Sequence, residues 1–336
     1  MHPAFSVLIF TVASGAGYGL FALLVLAHLS GVGQIEQTSM ILTAGVLALV
    51  LITGGLMSST LHLANPKNAW RAFSRFKTSW LSREAVFAVL FYPFALVYLG
   101  SVLLADELGD GAALVTQISG LLAVVLALVT LFCTSMIYAS LKTIRQWCTS
   151  LTPLNYLALG LMSGALCLAA VQVVVQGSVS ALLQGLALGL LLLGASVKLI
   201  YLFWIGKPAG STINTATGFS QAKVRLLDSG HSSDTFLTNE FGYEAGADKL
   251  LRLRGLMLLL AFAVPFILIS VDGGSLALLA MLSAIVGLLV ERWLFFAEAR
   301  HVVRLFHGAV EFIGADRNLP IESSESLCHA KAFLKE

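Results

Sequence analysis

Gln146–Val197, QWCTSLTPLNYLALGLMSGALCLAAVQVVVQGSVSALLQGLALGLLLLGASV, runs for fifty-two residues without an Asp, Glu, Lys or Arg. A helix crosses the hydrocarbon core of a bilayer with about 20 mostly apolar residues, so this stretch holds two crossings, and Gln176-Gly177-Ser178 is the best turn between them. Further charge-free windows run 1–35, 37–66, 85–105, 111–141, 255–271 and 273–290. Each has room for one span. The resulting reading is an all-α integral membrane protein, a bundle of eight transmembrane helices over roughly 4–29, 38–62, 84–104, 111–139, 153–175, 180–204, 253–271 and 275–297.

Composition agrees. Of 336 residues, charged side chains make up 11%, against roughly 25% in a soluble domain, which excludes an ordinary globular protein. A hydrophobic fraction of 58% and a mean hydropathy of +0.89 exclude disorder. The net charge of +2 gives no ground for nucleic-acid binding. Cys133, Cys148, Cys167 and Cys328 are far apart with no CxxC pair, so neither disulfides nor a protein-ligated cluster or metal is expected. The first basic residue is Lys67; without a basic n-region, the first apolar run reads as a retained span rather than a cleaved leader.

The segmentation is then 1–205 for helices one to six, a polar loop at 206–250 rich in Lys, Asp, Glu, Asn, Ser and Thr, 251–298 for helices seven and eight, and a tail at 299–336. No internal repeat is strong enough to assert, although eight helices divide naturally into two four-helix halves at Thr152-Pro153. The many glycines permit close helix packing.

The basic residues set an orientation. Lys67, Arg71, Arg75, Lys77 and Arg83 lie between helices two and three, and Lys142 and Arg145 between four and five; the connections on the opposite side carry Glu36, Asp106, Glu107, Asp110 and Asp272 and no basic residue. By the positive-inside rule, both termini and the 206–250 loop are expected to be cytoplasmic. Lys198 and Arg292, near the same ends of helices six and eight, are expected to snorkel to that interface. Trp70, Trp80, Trp147, Trp204 and Trp293 all fall at this face too; they read either as an interfacial belt or as contacts to a ring-headed ligand or docked partner.

Chemistry is expected in the stretch that opens His62-Leu63-Ala64-Asn65-Pro66 and closes Ser79-Trp80-Leu81-Ser82-Arg83-Glu84. Pro66 ends helix two, leaving His62 in its last turn, and Glu84 opens helix three from the same face. A His and a Glu at adjacent helix ends suit proton-coupled redox chemistry of a quinol: one group bonds a ring oxygen and the other moves a proton. The plainer alternative is that both residues favour helix-dipole ends. For the loop cations the plainer reading is topology, with anionic lipid or an acidic partner surface as alternatives. His28, His231, His301 and His307 are not placed to ligate a haem in pairs. Gln117, Gln172 and Gln184 read as interhelical hydrogen bonders.

At these residues the chain resembles the membrane anchor subunits of the dimethyl sulfoxide (DMSO) reductase type, which have eight helices, a His-Leu-x-x-Pro stretch closing the second and a Ser-x-Glu opening the third. Here these are His62-Leu63-Ala64-Asn65-Pro66 and Ser82-Arg83-Glu84. The resemblance implies an oxidoreductase complex with three parts: a molybdopterin catalytic subunit, an iron–sulfur subunit and this haem-free anchor, which exchanges electrons with menaquinone or ubiquinone. Substrate catalysis would then lie outside this chain. His62 and Glu84 match the quinol-associated positions of the family, and with Trp80, Arg71 and Arg83 they form the expected quinone-binding set. Respiratory members have a Lys before the Gly ending helix one, where this chain has Ser30 before Gly31. A cytoplasmic His62 face and the Trp80-Leu81-Ser82-Arg83-Glu84 form of the motif look closest to the sulfite-oxidising branch, the membrane subunits of sulfite dehydrogenase (quinone). The alternatives are a quinol-oxidising anchor of an S- or N-oxide reductase and, from another class, a multi-span transporter.

Overall fold

The computed structural model describes residues 3–61, 65–205, 212–219, 221–222, 224–228, 241–243, 245–271 and 274–307. Among them, eight helices are long and apolar enough to cross a membrane. They are α1 (Phe5–Leu29), α2 (Thr38–Thr60), α3 (Trp80–Leu103), α4 (Asp110–Ala139), α5 (Leu151–Gln176), α6 (Ala181–Ile205), α7 (Ala247–Ser270) and α8 (Ala277–Ala297). In lipid every backbone N–H and C=O must be satisfied within the segment, and a helix does this. The turn between α5 and α6 falls at Gly177, whose φ of 79° supplies the left-handed cap that stops α5.

Most helix ends lie within two residues of the sequence reading, and two do not. α3 starts at Trp80 rather than 84, and α7 at Ala247 rather than 253. In both cases the helix continues out of the apolar window through polar residues. Asp248 in the first turn of α7 and the cations Lys249, Arg252 and Arg254 are stable on a helix that has left the membrane. Within α7, a wide π-type turn at Leu259–Ala263 precedes Pro265. It relieves the clash that a proline ring makes with the carbonyl four residues earlier.

The packing has an internal symmetry that the sequence did not show. α1 packs on α2 and α4, and α3 on α4; correspondingly α5 packs on α6 and α8, and α7 on α8. The two four-helix halves meet through α1 against α5, flanked by α4 against α5 and α1 against α8. α1 and α5 are the most buried spans. Their backbones touch because two Gly-x-x-x-Gly pairs, Gly15 and Gly19 on α1 and Gly160 and Gly164 on α5, face each other. A Cβ on Gly19 would overlap the Gly160 carbonyl oxygen, and one on Gly164 would overlap the Gly19 carbonyl carbon. The glycine richness therefore serves helix approach here.

Gly164→Ala should force α5 off α1 and destabilise the protein by about 1–3 kcal/mol, the usual cost of overpacking. Gly189→Ala, where an added Cβ meets nothing within 4 Å, should be neutral. Thermal unfolding of the two variants in detergent distinguishes them, and equal midpoints would remove the α1–α5 contact from its central place.

Candidate functional site

Between α2 and α3, Pro66 opens a 3₁₀ helix, Pro66–Arg75. The first turns of α3 hold it in place: the buried Ser82 hydroxyl donates to the Ala72 carbonyl and accepts the Arg75 N–H at 3.1 Å. Arg83 completes the clamp, its guanidinium donating to the Phe76 and Lys77 carbonyls at 3.0 and 2.8 Å while lying 4.2 Å over the Trp80 ring. Trp80 meets Phe132 of α4 edge-on at 5.9 Å.

Glu84 points the other way, into the bundle. Because α3 starts at Trp80, Glu84 sits in its second turn, and the first turn has no acidic residue. The helix-dipole explanation, which holds only for the first turn, therefore loses its geometry. Glu84 is 5% exposed, and its Oε1 accepts a 2.5 Å hydrogen bond from the Thr134 hydroxyl of α4. The same hydroxyl is 3.0 Å from the Thr130 carbonyl. A hydroxyl carries one proton and two lone pairs, so it has two ways to pair. Facing a carboxylate, Thr134 donates to Glu84; facing a carboxylic acid, it accepts from Glu84 and turns its proton to Thr130. Glu84 can thus gain or lose a proton without leaving an orphaned polar atom, which the membrane interior would penalise.

The structure brings Trp80, Arg83 and Glu84 together on two turns of α3 and sets Arg71 apart on the exposed 3₁₀ segment, its guanidinium 5.8 Å over the Trp70 ring. His62 lies outside the described residues, as do Cys328, His231 and the tail from residue 308.

A second polar centre was missed in the sequence reading. Lys198 and Arg292 do not snorkel: both are buried, and both pair with Glu291, which is fully buried on α8. The Lys198 ammonium on α6 donates to Glu291 Oε1, and Arg292 Nε donates to Oε2. Arg292 lies 4.1 Å over Tyr156 of α5, and Lys198 lies 4.6 Å over Tyr201. Beside Arg292, whose buried Nη1 makes no hydrogen bond to the described residues, a cavity of about 20 Å³ is lined by Thr11, Gly15, Tyr156, Gly160 and Ser163, enough for a water molecule. The signal was present in the adjacent Glu291-Arg292 pair closing a charge-free window, with Lys198 one residue beyond another. Treating each cation singly hid it.

Trp147 is also not a belt residue. It is buried, stacked on Phe295 with ring centroids 5.2 Å apart, and its indole N–H donates to the Phe295 carbonyl at 2.9 Å. The glutamines on α5 and α6 do bond between elements: Gln172 donates to Gly33 O at 2.8 Å and Gln184 to Ile269 O at 2.7 Å. At the opposite end of the bundle His28 Nδ1 meets the Tyr98 hydroxyl at 2.8 Å, bordering an open cleft of about 470 Å³ that also includes Glu36 and Gln117. Among the described residues, no group of three His, Cys, Asp or Glu side chains is placed to hold a metal ion.

Compared with known families, residues 1–297 match the DMSO reductase anchor subunit (DmsC). The chain belongs to that family. The match covers all eight spans and ends with α8. The chain is also 36% identical over 326 residues to a sulfite dehydrogenase subunit from Allochromatium vinosum, covering 92% of this chain and the whole of that relative. As a DmsC-family protein it is a membrane anchor subunit of a DMSO reductase-type complex, and the family implies a catalytic and an iron–sulfur partner carrying the cofactors.

In this DmsC-family bundle, Glu291→Gln should strand two buried cations against a neutral amide and cost about 3–5 kcal/mol, seen as a large fall in the thermal midpoint in detergent. Replacing all three residues together, Lys198→Met, Glu291→Leu and Arg292→Met, should recover most of it. A Glu291→Gln shift no larger than that of the exposed Glu36→Gln would show that the buried triad is not what holds α6 to α8.

Proposed function

We propose that this chain is the quinone-reactive membrane subunit of a sulfite-oxidising molybdopterin complex whose catalytic side faces the cytoplasm. The observation that carries the reading is Glu84, a buried carboxylate one turn inside α3 whose hydroxyl partner allows both of its protonation states. Ionisable groups at membrane depth are costly and mark proton or ligand sites. Family membership and the likeness to a sulfite dehydrogenase subunit supply the redox context. The charge bias supports the orientation: the connections between α2 and α3 and between α4 and α5 carry six Lys and Arg, Lys67, Arg71, Arg75, Lys77, Lys142 and Arg145, with Arg83 in the first turn of α3 beside them, and the opposite connections carry none.

Reduction of a quinone to its quinol takes two electrons and two protons. The electrons would come from the docked iron–sulfur subunit. Glu84 would deliver a proton to one ring oxygen and recover it from the cytoplasm, with Thr134 turning its hydroxyl at each exchange. His62, two residues past the end of α2, would hydrogen-bond the other ring oxygen, give it the second proton and recover that proton from the cytoplasm. Trp80, held by Phe132 and Arg83, would offer the ring a stacking wall. Arg83 is committed to the Phe76 and Lys77 carbonyls, so it acts by fixing Trp80. Arg71 stands outside this set. The same site run in reverse would serve a quinol-oxidising reductase, but the likeness to the sulfite dehydrogenase subunit and the cation bias both favour the first direction. The family match leaves the transporter alternative without support.

Glu84→Gln should abolish sulfite-to-quinone turnover in membranes while sparing sulfite oxidation with a soluble dye, and equal loss of both would make the residue structural. Thr134→Val should slow quinone turnover several-fold, and Thr134→Ser, which keeps the hydroxyl, should restore it. A C-terminal alkaline phosphatase fusion should be inactive and a green fluorescent protein fusion bright; the reverse pattern overturns the orientation.

A further inference from the structure

The Pro66–Arg75 segment is a 3₁₀ helix, in which side chains three apart eclipse one another. Its residues therefore fall into three ridges. Ala69, Ala72 and Arg75 form one ridge, whose backbone is held to α3 by the bonds of Ser82 to Ala72 O and the Arg75 N–H, with Ala69 and Ala72 half-buried. Trp70 and Phe73 form the second, continued in register by Phe76. Asn68, Arg71 and Ser74 form the third, continued by Lys77. The Arg83 guanidinium, bonded to the Phe76 and Lys77 carbonyls, stops the segment from rolling.

Among the described residues that clamp leaves most of the second and third ridges uncovered, although Phe76 meets Phe87 of α3 edge-on at 5.8 Å. Trp70, Phe73 and Phe76 remain 65%, 46% and 42% exposed. Lys67, Arg71, Arg75 and Lys77 are exposed as well, and no Asp or Glu occurs from 65 through 83. The segment cannot leave the membrane boundary. Only five residues separate it from the end of α2 and four from the start of α3, a reach of roughly 15 Å, and α3 already holds it. An aromatic ridge beside a cationic ridge, tethered at the mouth of two spans, has the character of an interfacial helix.

We propose that this segment is a binding site for anionic phospholipid headgroups. Trp70, Phe73 and Phe76 lie in the boundary between headgroups and acyl chains, and Arg71 and Lys77 engage the lipid phosphates, Arg71 through a guanidinium suited to two oxygens. Charge complementarity and the tether favour lipid over the acidic surface of a partner protein. The proposal stands apart from the quinone reading, because it uses neither Glu84 nor His62.

The test is native mass spectrometry of the full chain, purified with its partner subunits in mild detergent and titrated with phosphatidylglycerol or phosphatidylcholine. The wild type should retain phosphatidylglycerol in preference to phosphatidylcholine. Each cation near an anionic surface contributes about fivefold in affinity, so Arg71→Gln with Lys77→Gln should weaken the tightest phosphatidylglycerol binding about 25-fold, with partner subunits still co-purifying. Arg71→Lys with Lys77→Arg should retain binding, which separates charge from folding. Trp70→Ser with Phe73→Ser should weaken retention of both lipids. Unchanged phosphatidylglycerol binding in the glutamine variant overturns the proposal. So does unchanged lipid binding with loss of the partner subunits, which would make the segment a protein-docking face.

Discussion

Two backbones in contact at the centre of the bundle set the position of everything else. Apolar burial drives little association between helices inside a bilayer, because lipid is as apolar as a leucine side chain; close packing and polar contacts must do it. α1 and α5 achieve that packing where Gly19 meets Gly160 and Gly164 with no room for a single Cβ. From this pair the halves extend in matching order, α1 carrying α2 and α4, and α5 carrying α6 and α8, while α3 and α7 pack on α4 and α8. The helix bearing Glu84 is thus peripheral, and the surface it turns inward is α4, the source of Thr134.

The bundle handles buried charge in two different ways. Glu291 is enclosed by Lys198 and Arg292 from both sides, an arrangement that ties α6 to α8 and, through Arg292 over Tyr156, to α5. Removing one member leaves uncompensated charge, so the cluster works as a fixed joint. Among the described residues Glu84 is hydrogen-bonded to a neutral hydroxyl, and that hydroxyl has a second acceptor in Thr130. That hydroxyl can pair with either protonation state of Glu84. The contrast between a saturated carboxylate and an adaptable one, both near the ends of their helices, is the chemical reason to assign structure to the first and to propose proton exchange at the second.

Much of this was legible before any coordinates. Charge-free windows of about 20 residues report helices directly, because an unpaired charge in hydrocarbon is strongly disfavoured, and the eight spans appear where those windows lie. Glu84 stood out by its place after a cationic loop. Its depth was misread because α3 begins at Trp80, before the apolar window opens. The apolar pattern marks where the membrane is, and the helix obeys hydrogen bonding and Ser82 instead. Lys198 and Arg292 were misread for a related reason: their partner, Glu291, is ninety-three residues from Lys198 in sequence, and only the packing of α6 and α8 on α5 brings them together.

The sequence by itself determined that this chain spans a membrane, how many times, and which connections carry the positive charge, since these follow from the solvation cost of single residues and need no knowledge of neighbours. It also determined the family, which rests on residues in order along the chain. Only the tertiary structure decided which glycines touch, that the eight helices form two matching halves, that three charges close on one another inside the bundle, and that Thr134 faces Glu84. Each of these is a contact between spans distant in sequence, and in a uniformly apolar chain little in the local pattern says which face of a helix turns toward which neighbour.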